Sequence, residues 1–415
     1  MISMFHDADL FNQDLSAWDV SNVTNMHKMF RYARSFNQDI GAWNTSSVTD
    51  MSEMFFDAQS FDWSLEGWDV SNVTTMRHMF EQAVDFNGRL NAWDVSNLQD
   101  FRHMFSYAQN FNQPIGSWNT ASATDMAHMF DGAITFDQDI SGWNTSQVTT
   151  MYRMFLNAHS FNQPLDSWDV SSVTDMATMF AEAYAFNQPL NSWNTSNVRR
   201  TGSMFWNATS FNQDLNNWDL SADTLMSTMF VYAESFNGDI SSWNTSNVRF
   251  MDYMFGGATN FNGDISGWDV SSVDSFHGMF WEASSFNQDI SNWNVSSGYE
   301  FGRMFSKALA FNQPIGAWNM GSAEFTPLMF DSALVFNQDL STWDMSNVIN
   351  THAMLRNAHS FDQPLEQWDV SNVKDMSFMF HKAYTFNQPL NSWDVSRVND
   401  MTDMFSHMSF NQDIS

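Results

Sequence analysis

The chain contains no cysteine, which excludes disulfides, thiol nucleophiles and cysteine-ligated zinc. Proline is scarce, at 7 of 415 residues. Basic residues are also few: 16 Lys and Arg stand against 47 Asp and Glu, for a formal net charge of −31. A surface of that sign repels phosphate backbones and anionic lipid, so neither nucleic-acid binding nor membrane insertion is expected. No apolar run approaches the roughly 18 residues of a membrane span. Met1-Ile2-Ser3 is not expected to open a signal peptide, which would need a basic start and an apolar stretch. The sequence also lacks a glycine-rich phosphate loop, an H-E-x-x-H motif and a G-x-S-x-G elbow.

What is present is a period. The stretch Phe11 to Ser35, FNQDLSAWDVSNVTNMHKMFRYARS, returns every 25 residues. Its tryptophan recurs from Trp18 through Trp43 and Trp68 to Trp393, a column that takes 16 of the 19 tryptophans. A Met-Phe pair recurs from Met4-Phe5 to Met404-Phe405, and a phenylalanine opens each unit from Phe11 to Phe386. A fixed period of this size signals a solenoid, in which stacked units share one continuous core at any length. The register therefore assigns the aromatic and methionine columns to the core rather than to a sticky surface.

Within the unit, Leu15, Trp18 and Val20 have the L-x-x-L-x-L spacing of a leucine-rich-repeat strand, with Asp19 and Ser21 alternating outward. Val23, Met26, Phe30 and Ala33 then follow at i, i+3, i+7 and i+10, the spacing of a helical turn with one buried stripe. Six of the seven prolines, from Pro114 to Pro389, share the column of Asp14 and mark it as a turn. The predicted fold is α/β: a right-handed solenoid of about sixteen rungs, with a parallel sheet on one face and short helices on the other. It is read as one domain, 1–415, with truncated repeats at both ends because Met1 already occupies the column of Met26. Thr326, Thr351 and Leu355 depart from the lattice, and local loosening is expected from about Thr326 to Leu355.

The string W-x-V-S-x-V-x-x-M-x-x-M-F-x-x-A-x-x-F-N-Q, as in Trp18 to Gln38, resembles the BspA-like leucine-rich-repeat surface proteins, including mycoplasma-type 25-residue lipoprotein repeats. The resemblance covers essentially the whole chain. It implies a cell-surface or secreted protein engaged in adhesion or protein–protein contact, and it carries no catalytic residues to transfer. The expected function is thus a non-enzymatic interaction module presenting an extended face to surface proteins or glycans. A structural spacer without a specific ligand is one alternative. A cation-dependent or carbohydrate-binding surface is another.

The column after tryptophan is always Asp or Asn. If it faces outward, Asp69 with Asp94, or Asp344, Asp369 and Asp394, would place carboxylates about 5 Å apart. Such a row could take up calcium or raise its members' pKa values. A shared acceptor oxygen that satisfies backbone groups is the competing reading, since Asp and Asn interchange freely. No other cofactor is expected. His78, His103 and His128 share a column in three successive rungs. On a helical face, with axes roughly 8–10 Å apart, they could not close on one zinc ion and are read as solvated. Interaction candidates are the off-lattice Trp63, Trp206 and Trp281, which have no reserved core slot, and the variable residues before tryptophan: Asn217, Asn292 and Gln367. End-to-end self-association is a further expectation, because the two ends of such a stack present unpaired edge.

Overall fold

The computed structural model describes residues 1–414. The chain divides into two compact units, Met1–Phe211 and Asn212–Ser415. Each is a stack of 25-residue rungs in which core residues lie against their counterparts one period away.

Three aromatic columns form the core of the first unit. Phe30 stacks on Phe55 with ring centroids 5.5 Å apart, Phe36 on Phe61 at 5.8 Å, and Trp43 on Trp68 at 6.3 Å. The second unit repeats this, with Phe305 on Phe330 at 5.6 Å and Trp318 on Trp343 at 6.4 Å. The columns of Ile40, Val48, Met51, Met54 and Ala58 fill the space between the rings, and these five residues are fully buried. Buried indole N–H groups donate to the preceding rung. Trp43 Nε1 reaches the Leu15 carbonyl at 3.1 Å, and Trp268 Nε1 reaches that of Ile240 at 3.1 Å. The column thereby satisfies its only polar atom while packing its rings.

The predicted helices are not formed. Among the described residues there is no helix, and β-structure is reduced to isolated parallel bridges. The backbone amides show why. Met51, Glu53, Phe55 and Asp57 donate to the carbonyls of Thr75, Arg77, Met79 and Glu81 in the next rung. The intervening Met54, Phe56 and Ala58 close i→i+3 turns on Met51, Glu53 and Phe55. A helix would consume all these amides internally; here every second one is spent on the neighbouring rung. The alternation needs a left-handed residue twice per rung, as at Glu53 (φ 56°) and Asp57 (φ 54°). For non-glycine residues that conformation costs about 1–2 kcal/mol each, and the inter-rung hydrogen bonds offset it.

The pairing also lies elsewhere than expected. The bridges run through the column of Asn25, Asp50, Thr75 and Asp100, not through Leu15 to Ser21. The latter segment is made of turns, Trp18 N–H to Leu15 and Val23 N–H to Val20. Nor do the irregular rungs loosen. Thr326 and Thr351 are fully buried, and their hydroxyls donate to Asn350 and Asp375 carbonyls at 3.3 and 3.2 Å. The amide ladder continues through Leu328 to His352 and Leu355 to Met379. A threonine that replaces methionine here loses apolar volume and gains an inter-rung bond.

Candidate interaction surface

The Asp/Asn column after tryptophan is exposed, and its oxygens are engaged. Asp69, Asp94, Asp344, Asp369 and Asp394 each accept, through Oδ1, the amide of the serine two residues on, at 3.0 Å. Asn119 and Asn319 make the same bond to Ala121 and Gly321, where no serine is present. The required partner is a backbone N–H, which explains why Asp and Asn interchange and why the serine is dispensable. Hydrogen bonding from Ser96, Ser346 and Ser396 holds the carboxyls of Asp94, Asp344 and Asp394 below the ordinary range. Mutual crowding would have pushed them up.

A second polar column was not singled out from the sequence: the asparagine of F-N-Q. Asn287 Oδ1 accepts the amide of Asn312 one rung on, and Asn312 Oδ1 accepts that of Asn337, both at 2.9 Å. Glutamines such as Gln338 bond to the same asparagine, its Nε2 lying 2.9 Å from Asn312 Oδ1. The signal was available in the near-constant Asn or Asp at this position, including Asp62, Asp137 and Asp362.

Of the off-lattice tryptophans, Trp63 is exposed, while Trp206 and Trp281 are half-buried. Trp281 packs edge-on against Tyr232 and Tyr253, with Lys307 Nζ 5.9 Å from its ring. Asn217, Asn292 and Gln367 are exposed on the turn before the buried tryptophan, dispersed along the second unit.

The histidines contradict the solvated reading. With turns instead of helices, neighbouring residues of a column stand one rung apart, not one helix diameter. His78 stacks on His103 with centroids 4.5 Å apart, and His103 on His128 at 4.1 Å. Their side chains are only 17%, 25% and 15% exposed.

The first unit also carries a shallow concavity that the sequence does not announce. Two adjoining depressions of about 250 Å³ each share Tyr107 and Gln109 and make one trough over six successive rungs. One end is bounded by Asp57, Gln59 and Gln82, the other by Asn157, His159, Glu182 and Tyr184. Asp57 is buried and paired with Arg34 at 2.8 Å. Tyr107 is 41% and Tyr184 36% exposed, and His159 stacks on Tyr184 at 4.5 Å. The Asp131 charge and burial raise the Tyr107 pKa; burial and Glu182 raise that of Tyr184. Both phenols therefore stay protonated, and the Tyr184 hydroxyl donates to Glu182 Oε2 at 3.3 Å. The second unit carries a wider polar groove of about 620 Å³, lined by serines with the Arg249–Asp274 ion pair across it. No helix of the described residues is long and apolar enough to cross a membrane.

No curated protein matches the chain. Among solved structures, a leucine-rich repeat protein from Bacteroides ovatus aligns over 82% of this chain and 87% of its own, with 10% identity and a TM-score of 0.34. One from Eubacterium ventriosum aligns over 88% and 83%, with 11% identity and a TM-score of 0.34. A chain of the Drosophila Toll–Spatzle complex aligns over 87% of this sequence, with 11% identity and a TM-score of 0.23; this chain spans 49% of its length. The family described as "Mycoplasma protein of unknown function, DUF285" matches residues 1–93, 85–170, 138–241, 224–342, 266–364 and 327–415. Those segments overlap from end to end, and the chain belongs to that family.

Proposed function

We propose that the chain is a non-enzymatic interaction module acting at a cell surface or in secreted form, and that the trough of its first unit binds an extended carbohydrate chain. One observation carries the reading: Tyr107 and Tyr184 are exposed rings three rungs apart in a trough otherwise rich in amides and carboxylates. At about 4.8 Å per rung the two positions are separated by roughly 14 Å along the stack, a span of several sugar residues. Aromatic faces stack on the apolar face of a pyranose, while Gln109, Asn157 and Glu182 offer partners for its hydroxyls. Placement at the surface follows from the BspA-like resemblance. Regular rungs supply avidity, since many weak contacts on one polymer act together.

Affinity electrophoresis through gels containing different soluble polysaccharides tests this. Retardation by at least one polysaccharide is expected, with Tyr107→Ala and Tyr184→Ala each weakening it and the pair abolishing it. Retardation by none would leave the spacer reading in its place. Retardation unchanged in the double variant would move recognition off the trough.

A further inference from the structure

We propose that His78, Glu81 and His103 form a site for a divalent transition-metal ion, with zinc the best match, that pins two successive rungs together. One donor atom from each of the three residues lies within 4.8 Å of the other two. His78 Nδ1 contacts Glu81 Oε2, and the same carboxylate oxygen stands 3.8 Å from His103 Nδ1. Glu81 is 13% exposed, so the cluster is sheltered yet reachable from solvent.

A second observation points to a ligand. His103 Nδ1 is buried and has no hydrogen-bond partner. Buried side-chain nitrogens are normally satisfied, and an unpartnered ring nitrogen 3.8 Å from a carboxylate oxygen leaves a position that a cation can fill. The same stack holds another orphan, Asp131 Oδ1, while Asp131 Oδ2 holds His128 Nδ1 at 2.9 Å. His128 is thus anchored and supports the His103 ring from the far side. A neutral imidazole is the form that ligates metal. Arg102 is tied to Asp100 at 2.6 Å and faces Asp125 at 3.4 Å, which offsets its charge.

Two imidazoles and one carboxylate make a zinc donor set, with bonds of about 2.0–2.2 Å and a fourth position open. Calcium, which takes six to eight oxygens, does not fit it. The two rings lie 17° from parallel, so converging on one ion requires rotation about χ2. The backbone need not move: residues 78 and 103 are held by the left-handed turn at φ 58° and 55°.

The test is isothermal titration of zinc chloride into the whole chain, with calcium chloride as comparison and imidazole NMR signals as a site-specific readout. One zinc per chain is expected, with shifts confined to His78 and His103, and no calcium heat. His103→Gln and Glu81→Gln should each weaken zinc binding at least about tenfold, whereas His27→Gln, outside the stack, should leave it unchanged. Absence of zinc binding to the native chain overturns the proposal. So does binding unaltered in Glu81→Gln, which keeps the side-chain shape and is the decisive variant should His103→Gln fail to fold by circular dichroism.

Discussion

Tyr253 packs its ring against the backbone of Gly278, one rung on, so closely that a β-carbon on Gly278 would overlap the ring. The same relation joins Tyr232 to Gly257, and Tyr107 to Gly132, where a β-carbon would stand 2.6 Å from the ring. These three are the left-handed glycines of the described residues. Elsewhere the left-handed positions carry side chains. At these three positions the preceding rung lays a tyrosine over the glycine, so backbone freedom and ring packing are met by one residue.

Gly278→Ala should therefore destabilise by about 2 kcal/mol, combining left-handed strain with displacement of the Tyr253 ring. In a Tyr253→Ala background the same change should cost only about 1 kcal/mol, the strain alone. Chemical denaturation of the four variants measures the coupling, and strictly additive effects would dissolve the pairing.

Asp369 reports on the acidic column. Its Oδ1 accepts the Ser371 amide, so Asp369→Asn should leave the melting temperature nearly unchanged. Asp369→Ala should cost about 1 kcal/mol, as for the loss of a helix cap. Thermal unfolding in calcium and then in chelator, at fixed ionic strength, is expected to show no calcium-specific shift. A shift removed by Asp369→Asn with Asp394→Asn would instead make this column an ion site.

Stability should fall with acid through His103. Its folded-state pKa of about 3 lies below the ordinary 6.5, so the unfolded chain takes up the proton first. The contribution is complete above pH 6.5 and declines as pH drops toward 3, amounting to about 2 kcal/mol lost by pH 5. His103→Asn should flatten denaturation midpoints across this window. The carboxyls of Asp94, Asp219 and Asp344, held low by their serines, should add losses only below about pH 4.

Much of this was readable beforehand. Trp18, Phe30, Phe36 and Met29 announced a stacked core by their spacing alone, because a repeated buried column leaves a repeated apolar letter. The turn at Asp14 was legible from the prolines that replace it, and the structure shows the reason. Where Asp is present, as at Asp39, its Oδ1 accepts the amide two residues on; where proline is present, the ring holds φ itself. The trough at Tyr107 was not legible, since its residues are scattered through six units and become neighbours only when the rungs stack.

The sequence by itself determined the period, the inward columns and the absence of thiol chemistry, because all three are carried by side-chain identity at fixed steps. Tertiary structure decided whether Val23, Met26, Phe30 and Ala33 lie on a helix or on a chain of turns. Apolar spacing reports which side chains meet the core; it does not report where the amides between them find acceptors. Those acceptors sit 24 residues away, in the next rung. The same inter-rung bonds replaced helix spacing with rung spacing, and so brought His78, His103 and His128 into contact.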